Sequence, residues 1–326
     1  MKKSLALLIL VPLAVLAGGA GLAIALGGPN DPPAMSSIND PFEGLDYADM
    51  PTASYFAARD GSKLAFRVYP PAGGAAKGSV VLVHGSSARG SSMHVMAKAF
   101  AAAGYAAYAL DIRGHGESGR KGHIAYVGQL EDDIEDFARS AKPARPSTLV
   151  GFSSGGGFVL RFAGSPRQKL FSSYLLLSPF VSQRAPTHRP NSGGWASVGL
   201  ARYLAIALFD AVGVRLFNDL PVVKFALNEE ARRFLTSQYS FALAQNFRPE
   251  RDYRANIRAV EQPLHVMAGQ DDEVFYSDQF TGLFKAEGQN VPVTLLPGIG
   301  HIPLTLVPAA IQAIITAVES LNEPRG

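Results

Sequence analysis

The chain has 326 residues, 47% of them hydrophobic and 17% charged, with 33 glycines, 22 prolines, no cysteine and a formal charge of +3. This is a globular composition with enough apolar material for a large core, which excludes disordered, collagen-like and disulfide-scaffold classes. Without cysteine there is no disulfide, thiolate zinc site, iron–sulfur cluster, cysteine nucleophile or lipidated N-terminal cysteine, and because Lys2 and Lys3 supply two of the three net charges, the remainder has no basic footprint for nucleic acid.

A charge-free run from Ser4 to Asn30 follows Lys3, dominated by Leu, Ala, Val, Ile and Gly. About 20 apolar residues suffice to cross a bilayer, and this run exceeds the 7–15 residues typical of a signal-peptide core. An uncleaved membrane anchor is therefore favoured over a cleaved signal peptide, although Ala23-Ile24-Ala25 fits a small-x-small cleavage site. The positive-inside rule keeps Lys2 and Lys3 in the cytoplasm and sends the rest across, giving a single-pass protein with an extracytoplasmic domain. Cleavage would instead make it secreted or periplasmic. A spacer rich in proline and acidic residues continues to about Thr52.

From Ala53 onward strands and helices alternate, which argues an α/β architecture. Ser54–Arg59 and Lys63–Tyr69 flank Asp60-Gly61, a hairpin signal. Ser79–His84 is a short apolar strand of the kind covered on both faces, followed by a helix over His94–Ala103 and a strand over Tyr105–Asp111. In the helix Val127–Lys142, Leu130, Ile134 and Phe137 form one apolar face, and Glu131, Asp132, Asp133, Glu135 and Asp136 are expected on a solvated one. Strand Thr148–Phe152, a helix ending at Ala163 and strand Ser173–Ser178 come next. The alternation resumes at Leu264–Ala268 and continues through helix Ser277–Ala286, strand Val291–Leu296 and helix Pro308–Leu321. Trp195, Tyr203, Phe209, Phe217, Phe225 and Phe234 recur at helix-like spacing between, as expected of a helical cap over the carboxyl ends of the strands. The division is thus 1–33, a transmembrane anchor or signal peptide; 34–52, a linker; 53–178 with 263–326, the core; and 179–262, the helical cap.

Gly151-Phe152-Ser153-Ser154-Gly155 fits G-x-S-x-G between an apolar strand and a helix, the context of a nucleophile elbow. A phosphate cradle at Gly155-Gly156-Gly157 is excluded because no Gly-Lys-Ser/Thr follows. His84-Gly85 follows one strand and Asp111-Ile112-Arg113-Gly114-His115-Gly116-Glu117-Ser118 the next. Gly269-Gln270-Asp271-Asp272 and Gly300-His301 each follow a later strand.

With these five pieces in this order, the chain resembles the α/β-hydrolase superfamily, in its group of monoacylglycerol lipases, lysophospholipases and serine aminopeptidases. The resemblance covers essentially everything after residue 53 except the cap. It implies a mostly parallel central sheet, with Ser153 as nucleophile, Asp272 as acid and His301 as base. Asp271 is the runner-up for the acid. A serine hydroxyl attacks only when an imidazole accepts its proton, and the imidazole needs a carboxylate to fix its tautomer. The backbone N–H groups of Ser86 and Ser154 would hold the oxyanion, and Arg113 and Glu117 read as loop-fixing residues. The resemblance thus implies a serine hydrolase of carboxylic esters, needing no metal or organic cofactor, and the apolar N-terminal run makes it a membrane-anchored one. Its partners would be the membrane and a small-molecule or lipid ester, with monoacylglycerols or lysophospholipids favoured. A peptidase whose cap carboxylates Asp210, Asp219, Glu229 or Glu230 hold a free amine is the alternative, and a non-catalytic receptor is a third.

Overall fold

The computed structural model describes residues 18–36, 40–42, 44–190 and 194–323. Residues 18–26 are helical (α1). The core then runs β1 (Ser54–Ala57), β2 (Lys63–Tyr69), β3 (Ser79–Val83), α2 (His94–Ala102), β4 (Ala106–Leu110), α3 (Gln129–Ala141), β5 (Ser147–Phe152), α4 (Ser154–Ala163) and β6 (Ser173–Leu177). The inserted segment contributes β7 (Ala196–Val198), α5 (Leu200–Ala211), β8 (Pro221–Phe225), α6 (Glu229–Phe234), β9 (Gln238–Ser240), α7 (Phe241–Asn246) and α8 (Tyr253–Arg258). The chain closes with β10 (Leu264–Gly269), α9 (Gln279–Ala286), β11 (Val293–Leu296) and α10 (Pro308–Asn322).

The central sheet has eight strands in the order β1-β2-β4-β3-β5-β6-β10-β11, parallel throughout from β4 to β11, with β1 and β2 as an antiparallel hairpin at one edge. The apolar runs explain the layering. In β3, Val80 and Leu82 pack toward α2 and α10, while Val81 and Val83 enter the opposite core with Phe137, Phe158 and Phe280. A strand buried on both faces cannot alternate with polar residues, so β3, β5 and β6 read as continuous hydrophobic stretches. β5 ends at the turn through Ser153 into α4, which puts that turn at the carboxyl edge of the central strands.

Two expectations are corrected. The inserted segment is not purely helical: β7, β8 and β9 form a three-stranded antiparallel sheet. Val222 and Val223 favour extended backbone, and Phe225 and Tyr239 turn into the main core, so aromatics spaced like a helix partly belong to strands. The segment also rejoins the core before its end, since Tyr253, Ile257 and Val260 pack there. Second, the acidic face of α3 is not solvated. Glu131, Asp132, Asp133 and Asp136 are buried and paired with arginines from distant segments: Glu131 with Arg161, Asp133 with Arg113, Asp136 with Arg59. Helical periodicity reports which face is apolar but not which partners arrive over the other.

At the N-terminus, no helix among the described residues is long and apolar enough to cross a membrane, and residues 1–17, most of the expected anchor, lie outside them. What is described is docked on the inserted segment. Ile24 packs with Ala205, Ile206, Val222 and Phe241. The Arg202 guanidinium donates to the carbonyls of Ile24 (2.7 Å) and Ala25 (3.0 Å), satisfying acceptors that the end of α1 leaves open. Leu200, Leu204 and Leu208, one turn apart along α5, and Val212 just after its end are each more than half exposed, as are Leu22 and Leu26 of α1.

Candidate active site

Ser153 sits between β5 and α4 with φ 55° and ψ −120°, a left-handed conformation that a serine holds only when its surroundings impose it, at a cost of about 1–3 kcal/mol. The surroundings are backbone bonds: Ser153 N–H donates to Leu177 O (2.9 Å), and Ser153 O accepts from Gly157 (3.0 Å) and Phe180 (2.9 Å). Gly155 permits the turn, because a Cβ there would stand 2.3 Å from His84 O. At Gly85 a Cβ would come within 3.3 Å of Ser153 Cβ, so the loop after β3 lies directly against Ser153.

His301 follows β11 and opens a short 3-10 turn, Ile302–Thr305. Its Nε2 is 3.1 Å from Ser153 Oγ and its Nδ1 2.9 Å from Asp272 Oδ2. Asp272, in the loop after β10, spends its other oxygen on the N–H groups of Val274 (2.8 Å) and Phe275 (2.9 Å). A carboxylate acceptor at Nδ1 requires the proton there, leaving the Nε2 lone pair facing the serine hydroxyl. Phe152 and Phe275 flank the imidazole at ring separations of 4.8 and 5.3 Å. Burial pulls the Asp272 carboxyl upward, but its interactions with His301, with the Ser178 hydroxyl and with the Phe275 N–H outweigh it and hold the group below its ordinary range. This arrangement can deprotonate the serine as it attacks and stabilise the imidazolium that results.

Asp271, the runner-up, is exposed, and its N–H donates to Ile299 O. Glu273 contributes differently, accepting from the His301 backbone N–H at 3.0 Å. His84, His94, His115, His123 and His265 each bond elsewhere. Arg113 clamps Asp133 and Asp60, and Glu117 bonds Tyr55 and Arg67, so both fix the loop after β4. Ser154 is the first residue of α4 and Ser86 stands in the turn after β3; among the described residues neither backbone N–H donates to a main-chain carbonyl.

Sequence reasoning missed the inserted segment's hold on that turn. Trp195 Nε1 donates to Ser86 Oγ (3.1 Å), Ser87 N–H to Tyr239 Oη (2.6 Å), Ser87 Oγ to Thr236 O (2.8 Å), and Thr236 N–H to Ser87 O (2.9 Å). The one available signal was a tyrosine and a tryptophan amid apolar residues, whose polar ends need partners when buried.

Residues 74–305 match the family described as serine aminopeptidase, S33. A 133-residue stretch is 35% identical to a monoacylglycerol lipase of Mycolicibacterium smegmatis; it takes in 39% of this chain and 46% of that protein, so the match spans about half the relative's length. Among solved structures, a soluble variant of monoglyceride lipase from Saccharomyces cerevisiae, in complex with a substrate analogue, aligns with TM-score 0.62 at 19% identity, over 84% of this chain and 95% of that one. A bacterial membrane phospholipase A aligns with TM-score 0.56 at 16% identity, over 99% and 96%. At such identities these structures speak for a shared fold.

Proposed function

Because the chain belongs to the serine aminopeptidase S33 family of α/β hydrolases, we propose that it hydrolyses carboxylic esters through an acyl-enzyme on Ser153, with His301 as base and Asp272 as its orienting acid. The observation that carries this reading is the unbroken hydrogen-bonded path from Ser153 Oγ through His301 to a buried Asp272. Ser153 Oγ attacks the ester carbonyl carbon while Nε2 of His301 takes its proton. The carbonyl oxygen becomes an oxyanion facing the N–H groups of Ser86 and Ser154. Collapse of the tetrahedral intermediate breaks the bond to the alkoxide, which leaves with the proton from His301. Water then repeats the sequence on the acyl-enzyme, releasing the acid and restoring Ser153.

The substrate we favour is a lipid-derived ester, a monoacylglycerol or lysophospholipid, met at a bilayer to which residues 4–30 anchor the chain with its catalytic part on the extracytoplasmic side. The apolar stripe of α5 supports this, because exposed leucines continuous with the docked α1 suit a bilayer surface better than water. So do the names of the M. smegmatis and yeast relatives, a monoacylglycerol lipase and a monoglyceride lipase. The peptidase alternative is less favoured because two of its candidate carboxylates are engaged: Asp210 with Asn218, and Asp219 with Arg120 and His123.

A fluorophosphonate probe on the full-length protein, with p-nitrophenyl esters of graded chain length beside aminoacyl-nitroanilides, tests the proposal. Labelling and ester turnover lost in Ser153→Ala and kept in Ser154→Ala are expected. Labelling that survives Ser153→Ala, or turnover of the anilides alone, overturns it. Release of the protein from membranes by carbonate would remove the anchor from the reading.

A further inference from the structure

We propose that Tyr239, in the inserted sheet, is a positioning residue for ester hydrolysis: its hydroxyl, fixed by His115, holds the Ser86–Ser87 turn so that the Ser86 N–H faces the oxyanion. This rests on the role given to Ser86 above.

The direction of each proton follows from the contacts. His115 Nδ1 lies 3.2 Å from Ile112 O and 3.3 Å from Arg113 O, two acceptors, so Nδ1 carries the proton and Nε2 is a bare lone pair. Tyr239 Oη, 2.6 Å from that Nε2, must therefore donate to it. The remaining lone pairs of Oη point away and accept the Ser87 N–H at 2.6 Å. A relay of fixed polarity thus runs from the loop after β4, through His115 and Tyr239, to the backbone beside the nucleophile. Burial keeps both members in the protonation state this needs, pushing the His115 imidazole well below its ordinary range and the Tyr239 phenol above its own.

Ser87 needs such a restraint. Its φ of 67° is left-handed, and the residue is buried. A non-glycine residue leaves that conformation unless its surroundings pay for it. The restraint at Ser87 transmits to Ser86, because the peptide plane joining them carries the N–H that Tyr239 accepts, and this plane sets the orientation of the preceding residue. Trp195 holds the same turn from its other side through Ser86 Oγ. The ring of Tyr239 is itself gripped edge-on by Phe225 at 4.7 Å and by His115 at 5.2 Å, so the hydroxyl has little freedom to wander. Hydrogen-bond donors stabilise an oxyanion only when aimed before the reaction begins, and a misplacement near 1 Å costs about a hundredfold.

The test is Tyr239→Phe in the full-length protein, which keeps the ring contacts and deletes the hydroxyl. On a short-chain p-nitrophenyl ester, kcat should fall roughly 10- to 100-fold with KM within about twofold. Affinity for a trifluoromethyl ketone, which forms an oxyanion adduct on the serine, should weaken by the same factor. Trp195→Phe, at a half-buried position, should act in the same direction more weakly and guards against a misfolded Tyr239 variant. The pH dependence of kcat/KM should keep its lower limb, since Tyr239 does not touch His301. A lowered Tm with unchanged kcat and ketone affinity would make Tyr239 merely structural and overturn the proposal, as would a loss confined to KM. If Ser153→Ala retains turnover, the parent reading fails; if that variant is dead while Tyr239→Phe is fully active, only the positioning proposal fails.

Discussion

Arg161→Met should destabilise the fold by about 3–5 kcal/mol, the cost of leaving a buried charge without its partner. Arg161 projects from α4, the helix that follows Ser153, and its Nε bonds Glu131 of α3, both side chains being about nine-tenths buried. The other Glu131 oxygen accepts from Asn246 Nδ2 at 2.6 Å. Methionine keeps most of the arginine stem's packing, so what is lost is the charge, and Glu131 is then held by one amide. The second arginine contact, to Glu250 at 3.6 Å, involves an exposed carboxylate and adds little. The Tm should drop by roughly 6–15 °C at the few degrees per kcal/mol typical of large domains. Adding Glu131→Gln should restore most of it, because a glutamine oxygen can still accept from Asn246 and no charge remains to be buried. Full-length protein in detergent, followed by far-UV circular dichroism in urea and on heating, gives the double-mutant cycle. A single variant that loses less than about 1 kcal/mol, or a double variant equal to the two singles added, would refute the reasoning.

Asp272→Asn should lower kcat roughly 10⁴-fold by removing the acceptor that sets the His301 tautomer, whereas Asp271→Asn should change it little; steady-state kinetics on one ester decides the order. Because the folded-state pKa of Asp272 is depressed, its contribution to stability is complete above its unfolded value near 4 and disappears as pH falls through the lower folded value. Tm plotted against pH should therefore have a shallower acid limb in Asp272→Asn than in the native protein, and parallel limbs would contradict this. Gly282→Ala, inside α9 with open space around it, should stabilise by about 0.5–1 kcal/mol. Gly155→Ala should instead destabilise by about 1–3 kcal/mol and cut turnover, since its methyl would meet His84 O; equal signs in calorimetry would count against the close-packed elbow.

The parts of the fold that were legible are those whose chemistry is local. Fully buried parallel strands must be apolar throughout, so β3, β5 and β6 announced themselves within a residue or so at each end. The elbow was legible because a sharp strand-to-helix turn demands small residues around one serine. The inserted sheet was not, because three-residue strands such as β7 and β9 are too short to display a period of two. Nor could the pairing of Asp133 with Arg113 be read, since a carboxylate on a helix looks the same in sequence whether it meets water or an arginine from 20 residues away. For the site, the residues in motifs were visible; Tyr239, Thr236 and Trp195 were not, as their partnership with Ser86 and Ser87 spans more than 100 residues and exists only once the chain has folded.

The lacing of the inserted segment to the Ser86–Ser87 turn also bears on how substrate reaches the serine. If that segment swung away as a unit, the bonds from Trp195, Tyr239 and Thr236 would break together, at about 0.5–1.5 kcal/mol net for each. A swung-out form would then make up a few per cent of molecules at most. It would also be the form in which the Ser86–Ser87 turn, to which the proposed function gives the oxyanion, is least ordered. Under the ester hydrolysis proposed above, admission and competence would exclude one another in a hinged lid, which favours entry with the inserted segment still laced to the Ser86–Ser87 turn.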